Sequence, residues 1–443
     1  MGWNRLVTAT AVVFCGASSV NLSALADEPP NSPIVSAPGS NQSSGGPTVW
    51  NANQEMSALG GPRALDPELQ AKGIPMGVFR LFPDLVTSVS YDDNVFRQPS
   101  ITESDFFFTE IPTLLLDYTT NDSHLVLYAD GTFTQYSKLT TVDTQLYDFG
   151  AKGLYDITRA TEVSGNISYS QLEESLSSSN TLASQEAPTL YTLFDASGQV
   201  SVKPNRLGFV LGGSNDQYVY FNTPLFGGGT LQNRDRDNTV YKGFAEVNYD
   251  FSPGYSTYLK GTYNADEFAE RFDRSGAHRS SDGYQVDAGV NILLGDLLQG
   301  TAYIGYVDQR YTHPLPDIAG VDFGANLTWY PTELLTLQLT ASRQIVNTTF
   351  AGASGGDDRN VNLAATYEVT RQMFLNASFG YDDTAYKGAG LTETTPTFGV
   401  GAKYIVNHYA QLNLNYTFSS RDATFSGLNY DDNLVTLGLN LQI

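Results

Sequence analysis

Eight short polar turns recur along the chain, centred at Asn121, Thr158, Asn205, Ser252, Gly295, Pro331, Thr370 and Asn407. Their successive spacings are 37, 47, 47, 43, 36, 39 and 37 residues. Each interval holds two runs of alternating apolar and polar residues and one longer loop. Alternation of period two sends the two sets of side chains to opposite faces of a strand. A tilted strand needs roughly 9–11 residues to cross a bilayer, and short turns at one end with long loops at the other mark transmembrane barrels. The rhythm predicts an all-β, antiparallel, up-and-down transmembrane barrel.

The final strand shows the alternation most clearly. Val435, Leu437, Leu439, Leu441 and Ile443 alternate with Thr436, Gly438, Asn440 and Gln442. Leu335, Leu337, Leu339 and Ala341 repeat the pattern, as do Leu412, Leu414, Tyr416 and Phe418. One face suits lipid and the other suits water. Tyr155, Tyr249, Tyr330 and Tyr367 stand just before short turns, where an aromatic girdle belongs. Eight turns join sixteen strands. One strand before them, near Phe79–Tyr91, and one after them, at Asp432–Ile443, raise the expected count to eighteen. The long loops expected to face outward include Leu172–Ala187, Asn222–Asp237 and Arg271–Ser281.

Composition agrees with a barrel. Aromatics make up 12% of residues and charged residues only 16%. No stretch beyond the N-terminus approaches the roughly 18 apolar residues of a membrane helix. Residues 1–26 read as a signal peptide: Arg5, an apolar stretch from Leu6 to Phe14, and Ala24-Leu25-Ala26 before Asp27. The single cysteine, Cys15, falls inside it, so disulfides and thiolate chemistry are not expected of the mature chain. Its removal leaves 23 Lys+Arg against 47 Asp+Glu, a net charge of -24, which excludes nucleic acid as a bulk-charge partner. Residues 27–75 are rich in Pro, Ser, Asn and Gly and read as a disordered periplasmic arm, with a helical turn at Asp66–Lys72. They are too few for the folded plug of a TonB-dependent transporter. Residues 76–443 form the expected barrel.

Phe82-Pro83-Asp84-Leu85, then Tyr91-Asp92-Asp93-Asn94-Val95-Phe96, Ser104-Asp105, Ile111-Pro112 and Leu114–His124 carry a family resemblance. This segment resembles the start of the outer-membrane β-barrel porins often encoded beside exopolysaccharide genes. Beyond it the chain is similar only in rhythm, Gly and Tyr content and length. The resemblance implies a channel in the outer membrane of a Gram-negative cell and an exit route for secreted polysaccharide. It implies no catalytic residues. The partners expected are outer-membrane lipid and lipopolysaccharide, the barrel-assembly machinery, and periplasmic polysaccharide-export proteins.

Two sets of residues stand out as candidate sites. Tyr-Asp-Asp-Asn occurs at Tyr91–Asn94 and again at Tyr430–Asn433. Closure makes the first and last strands neighbours, so Asp92, Asp93, Asp431 and Asp432 are candidates for a calcium site at the outer rim, since calcium takes several carboxylate oxygens. The competing reading is that Tyr marks the girdle while Asp and Asn begin loops. Alternation also places Lys152, Lys242, Lys260, Lys403, Asp130, Asp148, Glu162, Glu246, Asp287, Asp322 and Glu368 on the inward phase, with Tyr128 and Tyr136 as candidates for stacking on sugars. Seven acids against four bases predict a modest cation preference, unless the charges pair across the lumen.

Enzymatic signals are weak. The histidines, His124, His278, His313 and His408, divide between the two expected ends of the barrel, and no nucleophile elbow, zinc helix or phosphate loop occurs. The expected function is passive passage across the outer membrane. A general small-solute porin, or an adhesive barrel with a plugged lumen, are the alternatives.

Overall fold

The computed structural model describes residues 68–99, 102–295 and 297–443, together with the backbone of Val35–Ser36. Eighteen long strands form one antiparallel sheet that closes on itself. They are β1 (Phe79–Asp92), β2 (Asp105–Thr119), β3 (Ser123–Tyr136), β4 (Thr144–Thr158), β5 (Thr161–Glu174) and β6 (Thr189–Val202). Next come β7 (Leu207–Tyr220), β8 (Asn238–Ser252), β9 (Tyr255–Phe268), β10 (Ser281–Leu294), β11 (Leu298–Tyr311) and β12 (Ile318–Trp329). The last are β13 (Leu335–Val346), β14 (Gly356–Thr370), β15 (Met373–Tyr386), β16 (Leu391–Asn407), β17 (Ala410–Ala423) and β18 (Tyr430–Gln442). Each pairs with its neighbour in sequence, and β18 pairs with β1 from Leu434↔Asp92 to Gln442↔Asp84. Closure leaves no sheet edge except where the outer ends of β12 and β13 part, and pairing of the backbone is the condition for a sheet to sit in lipid.

Turn chemistry explains the rhythm. Asn205 and Asn407 accept the N–H two residues on, from Leu207 and Tyr409, each at 2.8 Å. The Thr158 hydroxyl accepts from Ala160, and that of Thr370 from Gln372 and Met373. Side chains that cap their own turns favour tight reversals over continued strands. Register shifts at Asp156/Thr158, Asp250/Ser252, Glu368/Thr370 and Ile405/Asn407 mark bulges beside four of these turns.

The outer surface is apolar and its ends are aromatic. Tyr155, Tyr249 and Tyr367 are exposed near the short turns, but Tyr330 is only 9% exposed. Tyr330 lies past the end of β12, where its hydroxyl accepts from Gln299 at 3.1 Å; Trp329, 47% exposed, takes the girdle position. At the other end Tyr91 packs on Phe106, and Tyr147, Phe149 and Tyr169 form a stacked group.

Several boundaries move. The strands reach further than expected: Leu172 and Glu174 belong to β5, leaving 175–188 as the loop, and the other two long loops run over 221–237 and 269–280. The predicted signal peptide and the arm up to residue 67, apart from the backbone at 35–36, lie outside the described residues. Glu68–Gln70 make a turn, not a helix. Leu69 packs against the inward-facing Phe374 and Ile405, and the Gly73 N–H donates to the Ile443 carbonyl, so this segment rests in the short-turn mouth.

Candidate pore and outer constriction

On the inward phase, four aromatic rings lie flat against the wall because a glycine stands opposite each. Tyr128, Phe244, Tyr258 and Tyr303 pair directly with Gly150, Gly212, Gly289 and Gly324. A Cβ at any of these glycines would fall within 2.2 to 2.7 Å of the ring or hydroxyl. Glycine therefore sets the bore: the ring occupies the space that a side chain would fill. Tyr136 instead packs on Phe107 at 4.8 Å.

The charged residues singled out from sequence all fall on this inward phase. Lys242 donates to Asp216 Oδ2 at 3.2 Å, and the Lys260 ammonium lies 4.4 Å from the Phe244 ring centre. Asp130 and Asp148 face each other across the β3–β4 ladder, and Ser170 donates to Asp148. Gln285 donates to both Asp287 and Asp322. Glu246, Lys260, Asp287, Asp322 and Lys403 are buried, whereas Lys152, Glu162 and Glu368 are half-buried. Asp84, Asp195, Asp216 and Asp266 also point inward. The same alternation would have identified them.

At the seam the structure gathers Asp92, Asp93 and Asp432, with one carboxylate oxygen of each within 4.8 Å of the others. Asp431 does not join. Consecutive strand residues face opposite sides, so Asp431 is turned outward and exposed while Asp432 is buried inward. Asp93 is engaged by Asn433, whose N–H and side-chain amide both donate at 2.7 Å. The Arg97 guanidinium lies 2.9 Å from Asp92 and 3.0 Å from Asp432. A side chain thus brings a positive charge to the carboxylates that the sequence offers to calcium.

The outer mouth is crossed by loops. β12 and β13 pair only from Gly324↔Ser342 to Trp329↔Leu337, so the outer end of β13 leaves its neighbour. Arg343 spans the gap, donating to the Val321 carbonyl at 2.8 Å and to Asp357 at 2.6 Å. Residues 347–355 then turn into the bore. Asn347 donates to Asp266 on β9, and Arg279 donates to the carbonyls of Ala353 and Phe350. The Asn180 side-chain Oδ1, in the 175–188 loop, accepts from the Thr348 hydroxyl at 3.0 Å and the Thr349 N–H at 2.8 Å.

Ion pairs hold this cap. Arg236 makes a two-pronged contact with Glu174, both bonds 2.9 Å, beneath the Tyr220 ring. Arg274 pairs with Asp235, and Arg279 with Asp273. Burial pushes the Asp273 carboxyl up, but the Ser275 hydroxyl, the Ala277 N–H and Arg279 outweigh it and hold it below its ordinary value. Asp235 is likewise held low by Arg274, against the opposing effect of burial.

A family model described as Putative beta-barrel porin 2 matches residues 66–443. The chain belongs to this porin family. It is a barrel of the Gram-negative outer membrane, a class in which short turns belong to the periplasm and long loops to the outside. No curated protein matches it. Among solved structures it is similar to the outer membrane protein OpdK of Pseudomonas aeruginosa, with 13% identity, 82% of this chain and 99% of that chain covered, and a TM-score of 0.44. The P. aeruginosa OccK2 (OpdF) complex with glucuronate gives 13% identity, 84% and 100% coverage and 0.45. A BenF-like porin from Pseudomonas fluorescens Pf-5 gives 12%, 82% and 99%, and 0.44. Within this porin, His124 stands at the periplasmic end bound to Asp117 at 2.7 Å, and His408 lies in a periplasmic turn. His278 and His313 lie in outer loops.

Proposed function

We propose that this porin is a passive channel for hydroxyl-rich solutes, with a secreted exopolysaccharide chain as its cargo. The inner wall of β14 to β18 carries the reading. Asn360, Asn362, Asn376, Gln411, Asn413, Asn415, Ser419, Thr436 and Asn440 face inward there. Uncharged donors and acceptors exchange hydrogen bonds with a polyol without holding it too tightly to leave, as conduction requires. The sequence resemblance supplies the polysaccharide. Tyr128 and Tyr136 offer ring faces to passing sugars, and the inward lysines and carboxylates set the field.

Deleting the gene should lower secreted polysaccharide several-fold, and the purified barrel should conduct ions with a modest cation preference in a salt gradient. Unchanged secretion with high conductance would replace this cargo with small solutes. The loops across the mouth favour a second reading, a barrel whose outer surface acts while its lumen is closed. Negligible conductance under all conditions, with intact surface binding, would select it.

A further inference from the structure

The outer end of the inner wall holds a cluster absent from the sequence reading. Tyr386 of β15, Glu393 of β16, Arg421 of β17 and Tyr430 of β18 face inward there. The Arg421 and Glu393 side chains are 6% and 11% exposed and 4.0 Å apart. The Tyr386 hydroxyl donates to Glu393 Oε1 at 2.8 Å, and the Arg421 guanidinium lies 4.8 Å from the Tyr430 ring centre.

A loop from a distant part of the wall fills this cluster. Residues 175–181 read Ser-Leu-Ser-Ser-Ser-Asn-Thr, joining β5 to β6. The Ser179 hydroxyl donates to Glu393 Oε2 and accepts from Arg421 Nη1 at 3.1 Å. Arg421 also donates to the Ser177 carbonyl, and Asn180 latches onto Thr348 and Thr349. Both ends of the loop are pinned. Glu174 is held by Arg236, and Thr189 shares a hydroxyl contact of 2.8 Å with Thr223. The middle of the loop is a strap with fixed ends.

One alcohol group thus donates a hydrogen bond to a carboxylate and accepts one from a guanidinium, while Tyr386 bonds the same carboxylate and Tyr430 lies against the same guanidinium. A sugar presents the same group, a hydroxyl that is donor and acceptor together, on a ring whose C–H face packs on aromatics. We propose that Glu393, Arg421, Tyr386 and Tyr430 form a saccharide-hydroxyl site. Ser179 occupies it as an internal surrogate, and a hydroxyl-rich chain arriving through the lumen displaces the strap and opens the outer mouth. The proposal rests on the channel reading above and names the event that opens it. Because Ser179 and the sugar compete for one place, the sugar binds only the open state and draws the barrel toward it.

The test is planar-bilayer recording of the full-length barrel with a neutral linear glucose hexamer as probe. The wild-type open fraction should rise with hexamer and saturate. S179A/N180A should raise the open fraction without sugar and lower the hexamer concentration needed by roughly tenfold. E393A/R421A should lose the hexamer response. N180C/T349C, whose only other cysteine is Cys15, should stay shut when oxidised and regain the hexamer response when reduced. This pair keeps the test decisive if E393A/R421A fails to assemble. An unchanged open fraction in S179A/N180A, a retained response in E393A/R421A, or opening of the oxidised N180C/T349C barrel would overturn the proposal. If deletion leaves secretion intact while the hexamer response follows these variants, the exopolysaccharide reading falls and the site stands.

Discussion

Arg97 shows how one residue braces the seam of a barrel. Its φ of 53° lies in the left-handed region, which a bulky side chain seldom occupies. The surroundings hold it there: ion pairs to Asp92 and Asp432, and a hydrogen bond to the Asn94 carbonyl. A strained backbone held by charged contacts braces the outer end of the ladder that joins the first and last strands of the sheet. Replacing Arg97 by Ala would leave the buried carboxylates facing each other, a loss of about 3–5 kcal/mol. We expect R97A to assemble with a lower urea midpoint and to bind calcium about tenfold more tightly than the wild type by calorimetry. Equal calcium affinity would show that Arg97 does not compete for these carboxylates. Asp92 and Asp432 were legible in the repeated Tyr-Asp-Asp-Asn motif, because closure of an eighteen-strand sheet must bring them together. Arg97 was not, since it sits in a loop five residues after Asp92, and no periodicity places a loop side chain.

At the scale of the strand, alternation decides nearly everything about which side chain faces lipid, and glycine decides how far each ring intrudes. Tyr303 lies over Gly324, where a Cβ would come within 2.2 Å of the ring. Gly324→Val should lift this ring into the bore. The expected cost is about 1–3 kcal/mol of overpacking, read as a lower urea midpoint, together with a smaller single-channel conductance. Conductance equal to wild type would mean that the ring moves along the wall instead. Four of the eight turns were legible in their own chemistry, because Asn205, Asn407, Thr158 and Thr370 cap the reversal through their own side chains. Tyr330 was misplaced in the girdle although it shares the inward phase of Asp322 and Thr328; its hydroxyl meets Gln299, and Trp329 takes the outward place.

The whole molecule is a barrel capped at its outer end by loops from different parts of the wall. Asp273 and Asp235 tie loops 269–280 and 221–237 into this cap, and both carboxyls are held below their ordinary values. A depressed carboxyl contributes stability that is fully present above its unfolded pKa, near 4, and is lost as pH falls through the lower folded value. The two loops should therefore stay docked at neutral pH and loosen below about pH 4. Hydrogen exchange of these segments, corrected for its intrinsic pH dependence, should show this, and D273N/D235N should show loose loops at every pH. The sequence by itself determined the closed antiparallel barrel, its eighteen strands, its two ends and the phase of the wall residues apart from Tyr330 and Asp431. Those properties follow from local periodicity and from turns that cap themselves. Only the tertiary structure decided that the outer ends of β12 and β13 part, that loops cross the mouth, and that Ser179 meets Glu393 and Arg421. These contacts join residues more than 160 positions apart through loops with no period, so nothing local in the chain encodes them.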